Sequence, residues 1–298
     1  LVFDNSDSGI PAAYGDFNSD EFTDVFILKD NFRTIDILLA SESPLLRQGK
    51  NLRCHYPDLK ITSVVPGDFD GDAFMDVMFT VKLEETGHVG VYINYGESDQ
   101  MNCTSNGTKP LIEMLGEPLA IDYNDDFIID LFGSDLEGKR AVWVFTKNAR
   151  GEKPEKKLLT LPVELNEVKG LGNLIFPHSH SVLDLNDDSL PDLVLSSDKG
   201  FEIWYANTSL ENRFEYSHTV ENPTGKVHYG QAIFMDLELN GELHQLIPVC
   251  KNEDCSESTI CVVSFGHCHD LNINFRQDNN NTEWGFLTPK KSHDFDHQ

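Results

Sequence analysis

Four stretches of this sequence set carboxylates and carboxamides at alternate places of a nine-residue frame. They are Asp16, Asn18, Asp20 and Asp24; Asp68, Asp70, Asp72 and Asp76; Asp122, Asn124, Asp126 and Asp130; and Asp184, Asn186, Asp188 and Asp192. The shared pattern is D-x-[DN]-x-D-x-x-x-D. In a tight loop the side chains at positions 1, 3 and 5 converge, because alternate residues point the same way. Calcium takes six to eight oxygens, among them a backbone carbonyl, and such a frame supplies them. The residues at position 7, Phe22, Phe74, Ile128 and Leu190, are expected to offer that carbonyl. No Cys or His occupies positions 1, 3, 5 or 9, which fits a hard cation. Magnesium fits less well, since it demands a tighter octahedron and keeps its waters. An EF-hand requires a Glu at position 12, where these stretches have Ile27, Phe79, Gly133 and Leu195. Asp and Asn also favour turns for local reasons alone. The fourfold recurrence favours calcium over that simpler account, with up to four Ca²⁺, one per loop.

A fifth copy, Asp236 to His244, has Asn240 at position 5 and His244 at position 9, and is expected to have lost the metal and kept the turn. Successive copies start 52, 54, 62 and 52 residues apart. A unit of that length suits a four-stranded propeller blade and is too long for leucine-rich, ankyrin or tetratricopeptide repeats. Short apolar stretches precede the motifs, such as Ser63-Val64-Val65 and Leu119-Ala120-Ile121, and β-branched or aromatic runs follow them, such as Val25-Phe26-Ile27-Leu28. Strand, polar loop, strand is a hairpin. Gly90 to Tyr95, Ala141 to Phe145 and Phe201 to Tyr205 read as further strands midway between motifs. The expected fold is all-β: a β-propeller with five blades near residues 10–60, 61–115, 116–175, 176–228 and 229–290. A seven-bladed ring would need well over about 350 residues.

The chain has 298 residues and a formal net charge of -27, from 50 acidic and 23 basic residues. Phosphate backbones and anionic lipid heads would repel it, which excludes nucleic acid as a partner. Positions 1, 3, 5 and 9 of the four loops hold 13 of the carboxylates, and four Ca²⁺ would offset eight of the 27 net negative charges. No run of 18 apolar residues marks a membrane helix. Leu1-Val2-Phe3-Asp4 lacks the features of a signal peptide and reads as a mature or trimmed start. The six cysteines, Cys54, Cys103, Cys250, Cys255, Cys261 and Cys268, are compatible with three disulfides. Cys250 and Cys255 flank a polar turn, Cys261 and Cys268 lie close enough to staple a hairpin, and Cys54 and Cys103 remain to pair. Sequons at Asn102, Asn106, Asn207 and Asn280 lie in turn-like contexts and, with the even cysteines, favour a secreted or lumenal glycoprotein.

The repeat resembles the FG-GAP repeat of integrin α-chain propellers, with Tyr14-Gly15 and Val65-Pro66-Gly67 as remnants of the namesake elements. A nearer resemblance, over about residues 9–290, is to the T-cell immunomodulatory protein family. It is carried by Tyr14 to Asp20, Ile61 to Asp68, Pro177-His178-Ser179-His180, Phe201 to Trp204 and Trp284-Gly285-Phe286. The resemblance implies a type I membrane glycoprotein whose ectodomain faces outward or is shed, a protein or receptor partner, and modulation of T-cell responses.

Other features read more plainly. His178 and His180 are expected to pack between blades rather than bind a transition metal, and Trp143, Trp204 and Trp284 to be core rather than a sugar platform. His267-Cys268-His269 is expected to hold a disulfide cysteine. No G-x-S-x-G, H-E-x-x-H or phosphate-binding glycine loop occurs, and acids at positions 1, 3, 5 and 9 serve one cation rather than a glycosidic bond. The expected function is a non-enzymatic, extracellular protein-interaction module with structural calcium. The alternatives are a glycan-binding, lectin-like propeller and an accessory propeller of a larger enzyme.

Overall fold

The computed structural model describes residues 9–103, 109–159, 171–175, 180–209, 213–221, 232–240, 243–252, 256–264, 267–271 and 275–276. Every regular element among them is a β-strand. The chain divides into two units, Leu1–Leu159 and Thr160–Gln298.

The first unit contains three antiparallel sheets. Sheet one runs β1 (Ile10–Gly15), β2 (Asp24–Lys29), β3 (Thr34–Ala40), β4 (Leu46–His55) in spatial order. Sheet two runs β5 (Ile61–Gly67), β6 (Asp76–Lys82), β7 (Val89–Glu97), β8 (Gln100–Asn102), with β9 (Ile112–Met114) also on β7. Sheet three runs β10 (Leu119–Ile121), β11 (Asp130–Ser134), β12 (Arg140–Val144), β13 (Glu155–Leu158). The second unit repeats the plan. Sheet four is β14 (Ser181–Leu183), β15 (Asp192–Ser197), β16 (Gly200–Ala206), β17 (Phe214–Glu221). Sheet five is β18 (Ile233–Met235), β19 (His244–Cys250), β20 (Glu257–Ser264), β21 (His267–Asp270), with β22 (Phe275–Arg276) also on β20. Apart from β9 on β7 and β22 on β20, neighbouring strands are neighbours in sequence, so the four-strand path of each sheet is a simple meander.

The second strands explain why the apolar runs after the motifs are continuous rather than alternating. In Asp24–Lys29, Asp130–Ser134 and Asp192–Ser197 every residue is buried. A strand covered on both faces has no polar side to keep, and its two residue sets feed different cores. In β6, Val77, Phe79 and Val81 join Phe26, Ile37 and Leu39 of sheet one, whereas Met78 joins Leu131 and Trp143 of sheet three. Sheet two is therefore the shared wall of two cores. In the second unit, Val194 and Ile203 pack with Ile247 and Val263, so sheets four and five stack likewise.

The fourth strands are mostly exposed, as in Leu46–His55 and Glu155–Leu158. Sheet one buries a charge cluster: Asp36 is fully buried and accepts from Lys29 Nζ at 2.8 Å and Arg53 Nη2 at 2.6 Å. Cys54 of β4 is bonded to Cys103, just after β8, which ties the outer strands of sheets one and two together. Cys261 is bonded to Cys268 across the β20–β21 hairpin. Cys250 is also disulfide-bonded, and Cys255 lies outside the described residues.

Candidate functional site

Each nine-residue frame forms the loop between the first and second strands of its sheet. Sheets one to four share most of its bonds. The Asp at position 1 accepts two loop amides. For Asp16 these are Asp20 N at 3.0 Å and Glu21 N at 2.9 Å; for Asp122, Asp126 N at 3.2 Å and Phe127 N at 3.0 Å; for Asp184, Asp188 N at 3.2 Å and Ser189 N at 2.8 Å. Asp68 shares the position-6 bond, from Ala73 N at 2.8 Å, but accepts Gly71 N at 2.7 Å and Asp70 N at 3.3 Å, while Asp72 N turns to Asp70 at 3.2 Å. The Asp at position 5 accepts the amide of position 7: Phe22, Phe74, Ile128 and Leu190 donate over 2.8–3.0 Å. The backbone is left-handed at position 4 (Ser19, Gly71, Asp125, Asp187; φ 57–72°) and at position 6 (Glu21, Ala73, Phe127, Ser189; φ 64–69°). Residues other than glycine pay roughly 1–2 kcal/mol for that conformation, so the loop's own bonds must hold it.

The Asp at position 9 does something the motif alone does not disclose. Asp24, Asp76, Asp130 and Asp192 are fully buried. One oxygen of each accepts the amide of position 2, from Phe17, Phe69, Tyr123 and Leu185 over 2.8–3.1 Å. The other accepts an amide at the end of the third strand, from Ala40, Gly96, Phe145 and Ala206 over 2.7–2.8 Å. This carboxylate is a brace between the loop and the sheet. Sequence reasoning placed it in the ligand set and missed the brace; its signal was the Asp standing as the first residue of each buried strand.

Burial, opposed in part by those amide bonds, pushes the carboxyls of Asp24 and Asp192 above the usual range and those of Asp76 and Asp130 up to about 7. The acids at positions 1 and 5 push Asp24, Asp130 and Asp192 further in the same direction, and Asp68 and Asp70 do so for Asp76. A divalent cation would reverse that balance.

Two observations bear on whether the residues fit such a cation. In the second loop, one carboxylate oxygen from each of Asp68, Asp70 and Asp76 lies within 4.8 Å of the others. In the first loop, Asn18 donates its Nδ2 to Asp20 at 2.9 Å and leaves its Oδ1 buried with no hydrogen-bond partner. An oxygen with no donor beside two carboxylates is suited to a hard cation. Asn124 and Asn186 likewise donate to Asp126 and Asp188, at 2.9 and 3.1 Å. The second loop has Asp70 at this place, and Arg150 donates to both Asp70 and Asp72 instead.

The fifth loop keeps part of the design. Leu239 at position 4 has φ 56°, and Asp236 accepts Asn240 N at 3.2 Å and Glu238 N at 3.1 Å. With His244 at position 9 it lacks the carboxylate brace, and Gly241 and Glu242 lie outside the described residues.

Elsewhere, Trp204 is fully buried and Trp143 is buried, which takes both out of any sugar platform; Trp284 lies outside the described residues. His180 is buried and accepts Ser196 N at 2.9 Å, whereas His178 lies outside the described residues. Asn102 is exposed, Asn207 half-buried, and Asn106 and Asn280 lie outside the described residues.

These features define an all-β chain of repeated four- or five-stranded antiparallel sheets, four of which carry the same acidic frame between their first two strands. No family model matches the chain. It is 31% identical over 287 residues to the T-cell immunomodulatory protein of Homo sapiens, covering 94% of this chain and 44% of that protein, and 30% identical to the Mus musculus protein over the same shares. It is 25% identical over 271 residues to protein linkin of Caenorhabditis elegans, covering 84% of this chain and 43% of that protein. Over this region the chain belongs to the T-cell immunomodulatory protein family, and it spans less than half the length of these relatives. Among solved structures it is similar to an Agrocybe aegerita lectin that recognises terminal N-acetylglucosamine (TM-score 0.45, 13% identity, 86% of this chain and 63% of that one). It is also similar to a GH43_1 enzyme of Xanthomonas citri (TM-score 0.40, 12% identity, 80% and 81%). Likenesses this distant carry no functional argument.

Proposed function

We propose that this chain is part of an extracellular β-propeller of FG-GAP type whose sheets are blades stapled by structural calcium. It serves as a non-enzymatic protein-interaction module in the modulation of T-cell responses. The observation that supports this most is the recurrence of one loop, with the same amide of position 6 on the Asp at position 1 and the same two left-handed positions, in sheets one to four. Positions 1, 3, 5 and 9 and the carbonyls of Phe22, Phe74, Ile128 and Leu190 would hold the ion. Bound calcium supplies charge neutralisation, and the loops' own residues set its geometry by fixing the carboxylates in place. The two bridged pairs, Cys54–Cys103 and Cys261–Cys268, support an oxidising compartment.

The test is a melting curve with and without excess EDTA, with calcium add-back, magnesium as control, and metal analysis of the untreated protein. The reading expects a large fall in Tm that calcium alone restores. A protein that carries no calcium and melts at one temperature throughout would overturn it.

A further inference from the structure

At positions 1, 3, 5 and 9 the second loop differs from its three counterparts in one residue, and that residue adds a charge to the set. Positions 1, 3, 5 and 9 carry four carboxylates there, Asp68, Asp70, Asp72 and Asp76, against three in each of the others. In those three loops the Asn at position 3 gives its amide to the Asp at position 5, so the two ligands hold each other. Asp70 has no proton to give, and two carboxylates two residues apart repel. The missing donor comes from another sheet. Arg150, in the turn between β12 and β13, donates Nε to Asp70 and Nη2 to Asp72.

The arginine is held for this task. Its guanidinium lies 5.4 Å from the centre of the Tyr95 ring, and Nη2 reaches the Gly96 carbonyl at 3.4 Å. The neighbouring Gly151 N donates to the Tyr95 hydroxyl at 2.8 Å, and Asn148 N donates to the Asp70 carbonyl at 2.8 Å. One positive charge brings positions 1, 3, 5 and 9 of the second loop to the same net charge as those positions in the other three. The side chain stands on the two oxygens that a cation would take first, because Asp70 and Asp72 are its ligands at positions 3 and 5.

We infer that Arg150 is a built-in cation of the second loop and excludes calcium from Asp70 and Asp72, so that calcium enters this loop only by displacing the arginine. The inference rests on the calcium reading above. Its consequence is a loop of lower apparent affinity, in which metal is exchanged for a contact between sheets two and three. A ligand that must displace an occupant present more than nine-tenths of the time loses at least about tenfold in apparent affinity.

The experiment compares the protein with its Arg150→Gln variant, counting bound ions by native mass spectrometry and measuring affinity by calorimetry from micromolar to millimolar calcium. Expected are one more ion on the variant at calcium levels where the unaltered protein leaves a loop empty, and a tightening of that step by about tenfold or more. Adding Asp72→Ala to the variant should abolish the gained step and so assign it to this loop. In the unaltered protein, calcium should speed tryptic cleavage after Arg150. Unchanged or weaker binding in Arg150→Gln, or protection of Arg150 by calcium, would overturn the inference while leaving the calcium loops standing. No ion retained on either protein would instead overturn the parent reading and this one together.

Discussion

If the Asp at position 9 is a brace as well as a ligand, its loss must harm the protein even when no metal is present. Asp130 is the cleanest case, because its loop has no arginine partner. Asp130→Ala strips acceptors from Tyr123 N and Phe145 N, which donate at 3.1 and 2.8 Å and belong to buried residues. A buried amide left without an acceptor costs about 1–3 kcal/mol, so the pair costs roughly 2–6 kcal/mol. Truncation also removes a carboxylate whose burial is unfavourable, which places the net loss near the lower end. Asp126→Ala in the same loop gives up two acceptor bonds at an exposed side chain, from Ile128 N and Asn124 Nδ2, both at 2.9 Å, and relieves repulsion between acids. It should cost about 1 kcal/mol or less without metal. At roughly 2–4 °C per kcal/mol, Asp130→Ala in EDTA should melt about 4–8 °C below the unaltered protein, and Asp126→Ala within about 3 °C of it. Saturating calcium should widen both deficits, since each variant forfeits a ligand. Thermal melts by circular dichroism read all four conditions. Equal, small losses for the two variants in EDTA would refute the brace.

Two further outcomes follow from the same structure. Asp76 and Asp130 titrate at about 7 when folded without metal, well above the ordinary aspartate value of about 4. The folded chain then binds more protons than the unfolded one between about pH 4 and 7, and stability falls as pH rises through that window, by up to about 4 kcal/mol per group. Calcium keeps these groups ionised, so the Tm gap between calcium and EDTA should widen from pH 5 to 7.5; an EDTA-treated protein that gains stability over that range would contradict the shift. Replacing Cys54 and Cys103 by Ser opens a crosslink with a sequence separation of 49. Loop entropy sets that loss near 4 kcal/mol, measurable as a lower urea midpoint at unchanged slope.

The sheets were largely legible because their signal is local. A continuous apolar run such as Val25 to Leu28, entered through an Asp-rich turn, has few other folds available, and it became the fully buried β2. The loop frame was legible for a similar reason: its bonds join residues within five positions of one another, as from Asp16 to Asp20 and Glu21. What the sequence concealed is long-range. Asp24 reaches Ala40 across the hairpin, and Arg150 reaches Asp70 from another sheet, and no spacing rule links such pairs. The only hint of the arginine was the extra carboxylate at position 70, a charge whose counterpart no motif locates.

The exposed fourth strands bear on how the protein stays in solution. An outer strand offers unpaired backbone groups along one side, a template on which a second chain can add. Strand β13 presents Glu155, Lys156 and Lys157, and β4 presents Arg47 and Lys50, all short of full burial. Like charges set directly opposite each other across a new strand pair are unfavourable, so two copies meeting β4 to β4 with Arg47 opposite Lys50 would set positive charge against positive charge. On a chain with a large acidic excess, Arg47 and Lys50 thus put positive charge on an outer strand, where charged side chains disfavour edge-to-edge pairing.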